Sequence, residues 1–172
     1  IEKDYFNFNG RNDYFELETE IAPQLANSDF TIEFWLKQFP ITTNGSHRHH
    51  VIYHQGSGVS SEIGIMMKKE HNTGNYIISC AFNGDNLNYE LGSIFPYENN
   101  WHHYTFTFNS TTRLMKLYID GVLKYSDTRT AQTTASGNIH IGTFSDKSEF
   151  MKGELKHLRV WNSVRTQDEI QT

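Results

Sequence analysis

One cysteine in 172 residues rules out an internal disulfide, so whatever fold this chain adopts is held by its core rather than by a covalent framework. Cys80 sits in the apolar run YIISCAF with no histidine beside it, which reads as a small buried hydrophobe and not as a reactive thiol. Charge of one sign is also scarce. The formal net charge is −5, and the 15 basic residues are scattered rather than run together, which argues against a nucleic-acid partner or an anionic membrane surface. No apolar run approaches the roughly 18 residues of a membrane span, so no membrane insertion is expected, and no basic start with an apolar stretch marks a signal peptide. There is no G-x-S-x-G elbow, no phosphate-cradling glycine loop and no metalloprotease motif.

What the chain does have is apolar surface, 37% hydrophobic and 14% aromatic, enough for one folded domain over residues 1–172. Its start at Ile1 and its end at DEIQT fit a domain excised from a larger protein. Apolar residues recur with period two almost everywhere. In DFTIEFWLKQ, Phe30, Ile32, Phe34 and Leu36 take one face, while Thr31, Glu33, Trp35 and Lys37 take the other. Further strands read at YFELE, HVIYHQ, EIGIMMK, YIISCAF, LNYELGSI, WHHYTFTF, MKLYIDG, VLKYSDT, NIHIGTF and ELKHLRVW. This predicts an all-β fold, a two-sheet antiparallel β-sandwich. Asp120-Gly121 between KLYI and VLKY predicts a two-residue hairpin. Thr166-Gln167-Asp168-Glu169 has capping-box spacing and predicts one short C-terminal helical turn. Trp35, Trp101 and Trp161 are expected to be mostly buried.

Histidines and carboxylates carry the chemistry to be weighed. His102 and His103 are adjacent on a strand, so they point to opposite faces and cannot share a metal. His50 and His54 share a face by alternation but sit on the order of 13 Å apart, too far for one zinc. Glu16, Glu18 and Glu20 in ELETE stand at i, i+2 and i+4, the arrangement a laminarinase-like glycosidase uses, with Glu16 and Glu20 as its two principal carboxylates. The middle residue is Glu where that family has Asp, and a solvated edge strand explains the run without catalysis. Asn44 and Asn109 open glycosylation sequons, which are acceptors only in a eukaryotic secretory context.

FNFNGRNDYFELE, DFTIEFWLKQ, NNWHHYTFTFNSTTRLMKLYIDGVLKYSD and NIHIGTFSDKSEFMKGELKHLRVWNSVRTQDEI resemble, in order and spacing, the successive blocks of a laminin-G-like jelly-roll domain of the concanavalin A-like lectin/glucanase superfamily. The resemblance implies a jelly roll in which the W-H-H motif is structural. Family members often carry two aspartates before the V-R-[IV]-[YW]-N strand, one of which helps hold calcium; Lys156 and His157 stand there instead. Asn9, Asn12 and Asp13 could still offer oxygens to a calcium ion, although an Asn/Asp-rich turn explains them equally well.

Such a fold serves several functions, and three fit this sequence. First is a non-catalytic module with weak glycan recognition, outside the cell or on its surface, binding a glycan or surface glycoprotein without a required cofactor. Its candidate groups are Asn83, Asp85, Asn86, Asn88 and Tyr89, crowded into what reads as one turn, with Tyr53 and His54 on a neighbouring strand. Second is a protein-interaction or structural module of an adhesin or toxin, touching other domains of the same parent chain; a distant similarity to the jelly-roll segment of clostridial neurotoxins supports it. Third is the glycosidase that rests on ELETE alone.

Overall fold

The computed structural model describes residues 4–20, 22–41, 49–56, 63–82, 84–93 and 99–171, Phe82 by its backbone alone; Asn83 and Asn44 lie outside the described residues. Twelve strands form two six-stranded antiparallel sheets. The first, sheet A, runs β1 (Phe6–Asn9), β12 (Lys152–Trp161), β3 (Phe30–Gln38), β8 (His102–Phe108), β9 (Leu114–Ile119), β10 (Val122–Thr128). Sheet B runs β2 (Phe15–Leu17), β11 (Ile139–Ile141), β4 (His49–Gln55), β5 (Ile63–Lys69), β6 (Tyr76–Phe82), β7 (Asp85–Gly92). The two sheets face each other across one core. Phe30, Ile32, Phe34 and Leu36 meet Tyr53, Ile65, Met67, Ile78, Cys80 and Leu87 in it, as the alternation of each strand dictates. Burying each such side chain contributes on the order of 2 kcal/mol.

The expected hairpin is present: Asp120 (φ 52°) and Gly121 (φ 71°) join β9 to β10 with both central residues left-handed, as a type I′ turn requires. The helix is present too. In α1 (Gln167–Gln171) the Thr166 hydroxyl accepts the Glu169 N–H at 3.3 Å, and the Glu169 carboxylate accepts the Thr166 N–H at 2.7 Å. The segment leading to α1 lies over sheet A, where Thr31 donates to the Ser163 carbonyl and accepts from the Arg165 N–H. His102 and His103 do part to opposite faces, His102 to Asp120 at 2.7 Å and His103 toward Glu33 at 3.6 Å.

Four expectations are corrected. The tryptophans are not mostly buried: Trp35 and Trp101 are half-buried and Trp161 is 37% exposed, because Trp35 and Trp161 lie on the outer face of sheet A and Trp101 precedes β8. A bulge in β4 between Val51 and Tyr53 inverts the alternation, so His50 pairs with inward-facing Met67 and His54 with Gly64 on the outer face. They do not share a face. Strand β2 ends at Leu17, so Glu18 and Glu20 leave the strand and the three carboxylates of ELETE form no common face. Finally, the expected strand LNYELGSI begins earlier, at Asp85, so Asp85, Asn86, Asn88 and Tyr89 are spread along β7 rather than crowded into one turn.

Candidate functional site: the outer face of the second sheet

Strand register builds this surface. Across sheet B the outward positions of six strands align as one row, Glu16, His140, His54, Gly64, Ala81, Asn86, about 24 Å from end to end at strand spacing. Side chains fill both ends of the row, but β5 and β6 offer only Gly64 and Ala81, with Met66 and His54 beside Gly64, where an added Cβ would meet them at 3.4 and 3.8 Å. The middle is therefore a shallow lane. In the next outward row Met66 pairs with Ser79 and Ser79 with Asn88, and the Ser79 hydroxyl donates to the Asn88 amide oxygen at 2.8 Å. That bond fixes the amide and leaves its N–H₂ group directed away from the oxygen's partner. Asn86 and Asn88 are exposed and border the lane on one side.

At the other end the lane reaches a polar cleft of about 590 Å³ between the end of β2 and the loops flanking β11. Thr19, Ser136, Asn138, Ser145 and Asp146 line it, with the bare backbone of Gly56 and Gly137. His140 stands in its wall, 4% exposed, with Nε2 3.4 Å from Glu16. Burial holds the His140 imidazole below its ordinary value, and Lys147 adds to this, while Glu16 opposes it. The amide of Asn138 and then the ammonium of Lys147, at 2.8 and 3.1 Å, keep the Glu16 carboxyl below the usual range. Glu16 is thus a fixed anion in a network, not an acid poised to give a proton. His54 is only 2% exposed, because Phe144 packs edge-on against it at 5.3 Å.

Of the residues singled out in sequence, the structure gathers His54, Asn86 and Asn88 on this outer face and sends the others elsewhere. Tyr53 is wholly buried and donates to Gln55 at 3.1 Å. Tyr89 faces inward beside Leu87 and Leu91, and its ring meets Tyr125 at 6.1 Å. Asp85 accepts from Arg129, Thr130 and Ala131, tying the edge of sheet B to the segment after β10; burial opposes its ionisation, but these bonds together hold its carboxyl below the usual range. In the first block, Asn9 Oδ1 accepts from the Arg11 and Asn12 N–H groups, Asn9 Nδ2 donates to Asn12 Oδ1, and Asp13 accepts from the Asn9 N–H. Those oxygens close a turn. Among the described residues no group of three or more His, Cys, Asp or Glu is arranged to hold a metal. Lys156 lies 4.7 Å over the Trp101 ring and 3.4 Å from Asp4.

His140, Asn138, Gly64 and Ser79 belong to the surface and were missed in sequence. No local pattern marks them; they become neighbours of His54 and Asn86 only through strand pairing, Gly64 with His54 and Ser79 with Asn88 across hairpins and His140 with His54 across a crossover.

A family model described as the concanavalin A-like lectin/glucanases superfamily matches residues 9–171. No curated protein matches the chain. Among solved structures it superposes on a native heptameric SAP-like pentraxin from Limulus polyphemus at a TM-score of 0.73 and 18% identity, covering 96% of this chain and 79% of the pentraxin. It superposes on the binding domain of botulinum neurotoxin serotype D with the same TM-score and identity, covering 99% of this chain and 42% of the toxin domain, so it spans about two fifths of that relative. Domain 4 of AbnA, an extracellular GH43 arabinanase from Geobacillus stearothermophilus solved with arabinotriose, gives a TM-score of 0.61 at 18% identity, with 91% and 69% covered. At such identities these likenesses speak to the fold alone. Together with the match over nearly its whole length, the two-sheet jelly roll described above places the chain in the concanavalin A-like lectin/glucanase superfamily, as a laminin G-like domain.

Proposed function

We propose that the domain is a non-catalytic module that binds glycans weakly, outside the cell, across the outer face of sheet B. The observation that carries this reading is the row whose middle holds only Gly64, flanked by Met66 and His54, and half-buried Ala81, so that the surface dips between polar ends. A short oligosaccharide laid along the row, rather than a single ring, reaches the amides of Asn86 and Asn88 on one side and the hydroxyl-lined cleft beside His140 on the other. An AbnA domain of the same fold is named in complex with arabinotriose, which supports the ligand class without fixing it. A few hydrogen bonds on a shallow face give dissociation constants on the order of 10 μM to 1 mM. Several copies or neighbouring domains would then supply avidity. Calcium is not needed on this reading, since the oxygens of Asn9, Asn12 and Asp13 serve their own turn.

A glycan array with the isolated domain tests it, repeated with Asn86→Ala/Asn88→Ala and with a chelator. The expected result is a set of weak binders lost at least about tenfold in the double variant, unchanged by chelation, and no reducing sugar released from the bound glycans. Silence across a broad array contradicts the reading, and loss on chelation moves it to a calcium-dependent site.

One observation favours a second reading. Phe6 and Phe15 are exposed at the edge shared by β1 and β2, where they meet edge-on at 4.7 Å over an apolar cleft of about 610 Å³ that Leu17, Ile141, Leu158 and Val160 also line. A surface of this kind suits a neighbouring protein domain. Capture of such a domain by wild type, abolished in Phe6→Ser/Phe15→Ser, with a silent array, puts the interaction module first.

A further inference from the structure

The opposite sheet holds a separate cleft that the lane does not touch. It encloses about 450 Å³ over the outer face of β3, β8 and β12 and is closed on one side by α1. Glu33 lies at its floor, 3% exposed. Its Oε1 accepts the Trp161 indole N–H at 3.1 Å and an Arg159 N–H at 3.3 Å, while its Oε2 has the His103 Nε2 at 3.6 Å, past hydrogen-bond reach. The other two carboxylates in the lining are committed. Asp120 accepts the His103 N–H and meets His102, and Glu169 caps α1. Arg159 differs: its side chain is 55% exposed, and a guanidinium has five N–H groups of which few are used here. Trp35, stacked on His103 at 5.3 Å, forms an aromatic wall beside them.

The Glu33 carboxylate, with Oε2 as acceptor, and the Arg159 donor fork, bonded to Oε1 at 3.3 Å, therefore stand side by side in a concave site. Ligand chemistry must match that pairing on one side of the molecule. Two hydroxyls on adjacent carbons in a gauche relation do so: one O–H donates to Glu33 Oε2, and the other oxygen, about a hydrogen-bond length away, accepts from Arg159. A trans peptide group points its N–H and C=O in opposite directions and cannot bridge the two. With Glu33, Asp120 and Glu169 against Arg159 and Arg165, the lining keeps a negative balance that disfavours an acidic sugar. We infer that this cleft is a second ligand site, for the gauche vicinal diol of a neutral saccharide, which makes the domain two-sided. The inference stands apart from the lane on sheet B, and either can hold without the other.

The Trp161 indole N–H bonded to Glu33 is a built-in reporter. In ¹⁵N-labelled domain the three tryptophans give three indole signals, with Trp161 identified by Trp161→Phe. The methyl glycosides of glucose, galactose and mannose, titrated into the millimolar range, are expected to move the Trp161 signal along a saturable curve. 1,6-Anhydroglucose, whose neighbouring hydroxyls are locked anti, is expected to leave it in place. Arg159→Met and Arg159→Lys both remove the fork while keeping the aliphatic stem, and each should weaken binding about tenfold or more; Asn86→Ala/Asn88→Ala should not. Retained dispersion of the indole signals verifies folding of each variant. A Trp161 signal indifferent to all three glycosides overturns the inference, as does an equal response to the anhydro sugar, or undiminished binding in both folded Arg159 variants.

Discussion

His140 and His103 sit on the outer faces of opposite sheets, and burial is the main force holding each imidazole below its ordinary value of 6.5. Lys147 and neighbouring His54, 6.0 Å away ring to ring, add to this at His140; Glu33 opposes it at His103. The folded state thus binds fewer protons than the unfolded chain once the pH falls below about 6.5. Stability from these residues is complete above that value, is lost as pH falls toward their folded values, and changes no further below them. Glu16, Asp85 and Asp146 are also held low, here because their charged form is favoured, so their contribution persists until roughly pH 4 and is lost beneath it. Urea midpoints should therefore be level from pH 8 to about 7, fall as the pH drops below about 6.5, and fall again under about 4. His140→Gln should shrink the first step. A wild-type midpoint that stays level from pH 7 to 5 contradicts this account of the two histidines.

Strands read well from alternation because each face meets one medium, and β3 shows it best: its apolar set is entirely in the core. Alternation fails where the backbone inserts a residue. The β4 bulge sends His50 inward to Gln38 and His54 outward, and nothing in HHVIYHQ announces it. Strand β1 escaped notice for a related reason. Only Phe8 of FNFN is buried, and its partner strand β12 lies more than 140 residues away, so local pattern carries little signal. Left-handed glycines offer a test of how tightly these elements join. Gly142 (φ 89°) follows β11, and a methyl group there would stand 2.5 Å from the Phe8 ring, across the interface between the sheets. Gly74 (φ 69°) has nothing within 4 Å. Gly142→Ala should cost about 2–4 kcal/mol, strain and overpacking together. Gly74→Ala should cost only the strain, about 1–2 kcal/mol. Equal urea midpoints for the two variants would refute the close approach of β11 to Phe8.

For the whole molecule, fold and binding surface were legible to different degrees, and the difference is physical. The two sheets, the Asp120-Gly121 hairpin and the helical turn follow from periods and caps that act over a few residues. The surface follows from register. Asn86 and Asn88 could be singled out from NGDNLNYE, but β7 turns Tyr89 inward, and only the pairing through Ala81 and Gly64 brings Asn86 onto one row with His54 and His140. The cleft over Glu33 joins residues 33, 103, 159 and 161, three strands and a covering segment apart, and was invisible for the same reason. Among the described residues no helix is long and apolar enough to cross a membrane. Backbone amide shifts of the labelled domain, followed during titration with the strongest array binder in the presence of Arg159→Met to silence the opposite cleft, test the central claim most directly. The account predicts saturable shifts at Gly64, Ser79, Ala81, Asn86 and Asn88; binding that leaves all five unmoved, or maps instead to Phe6, Phe15 and Leu158, contradicts it.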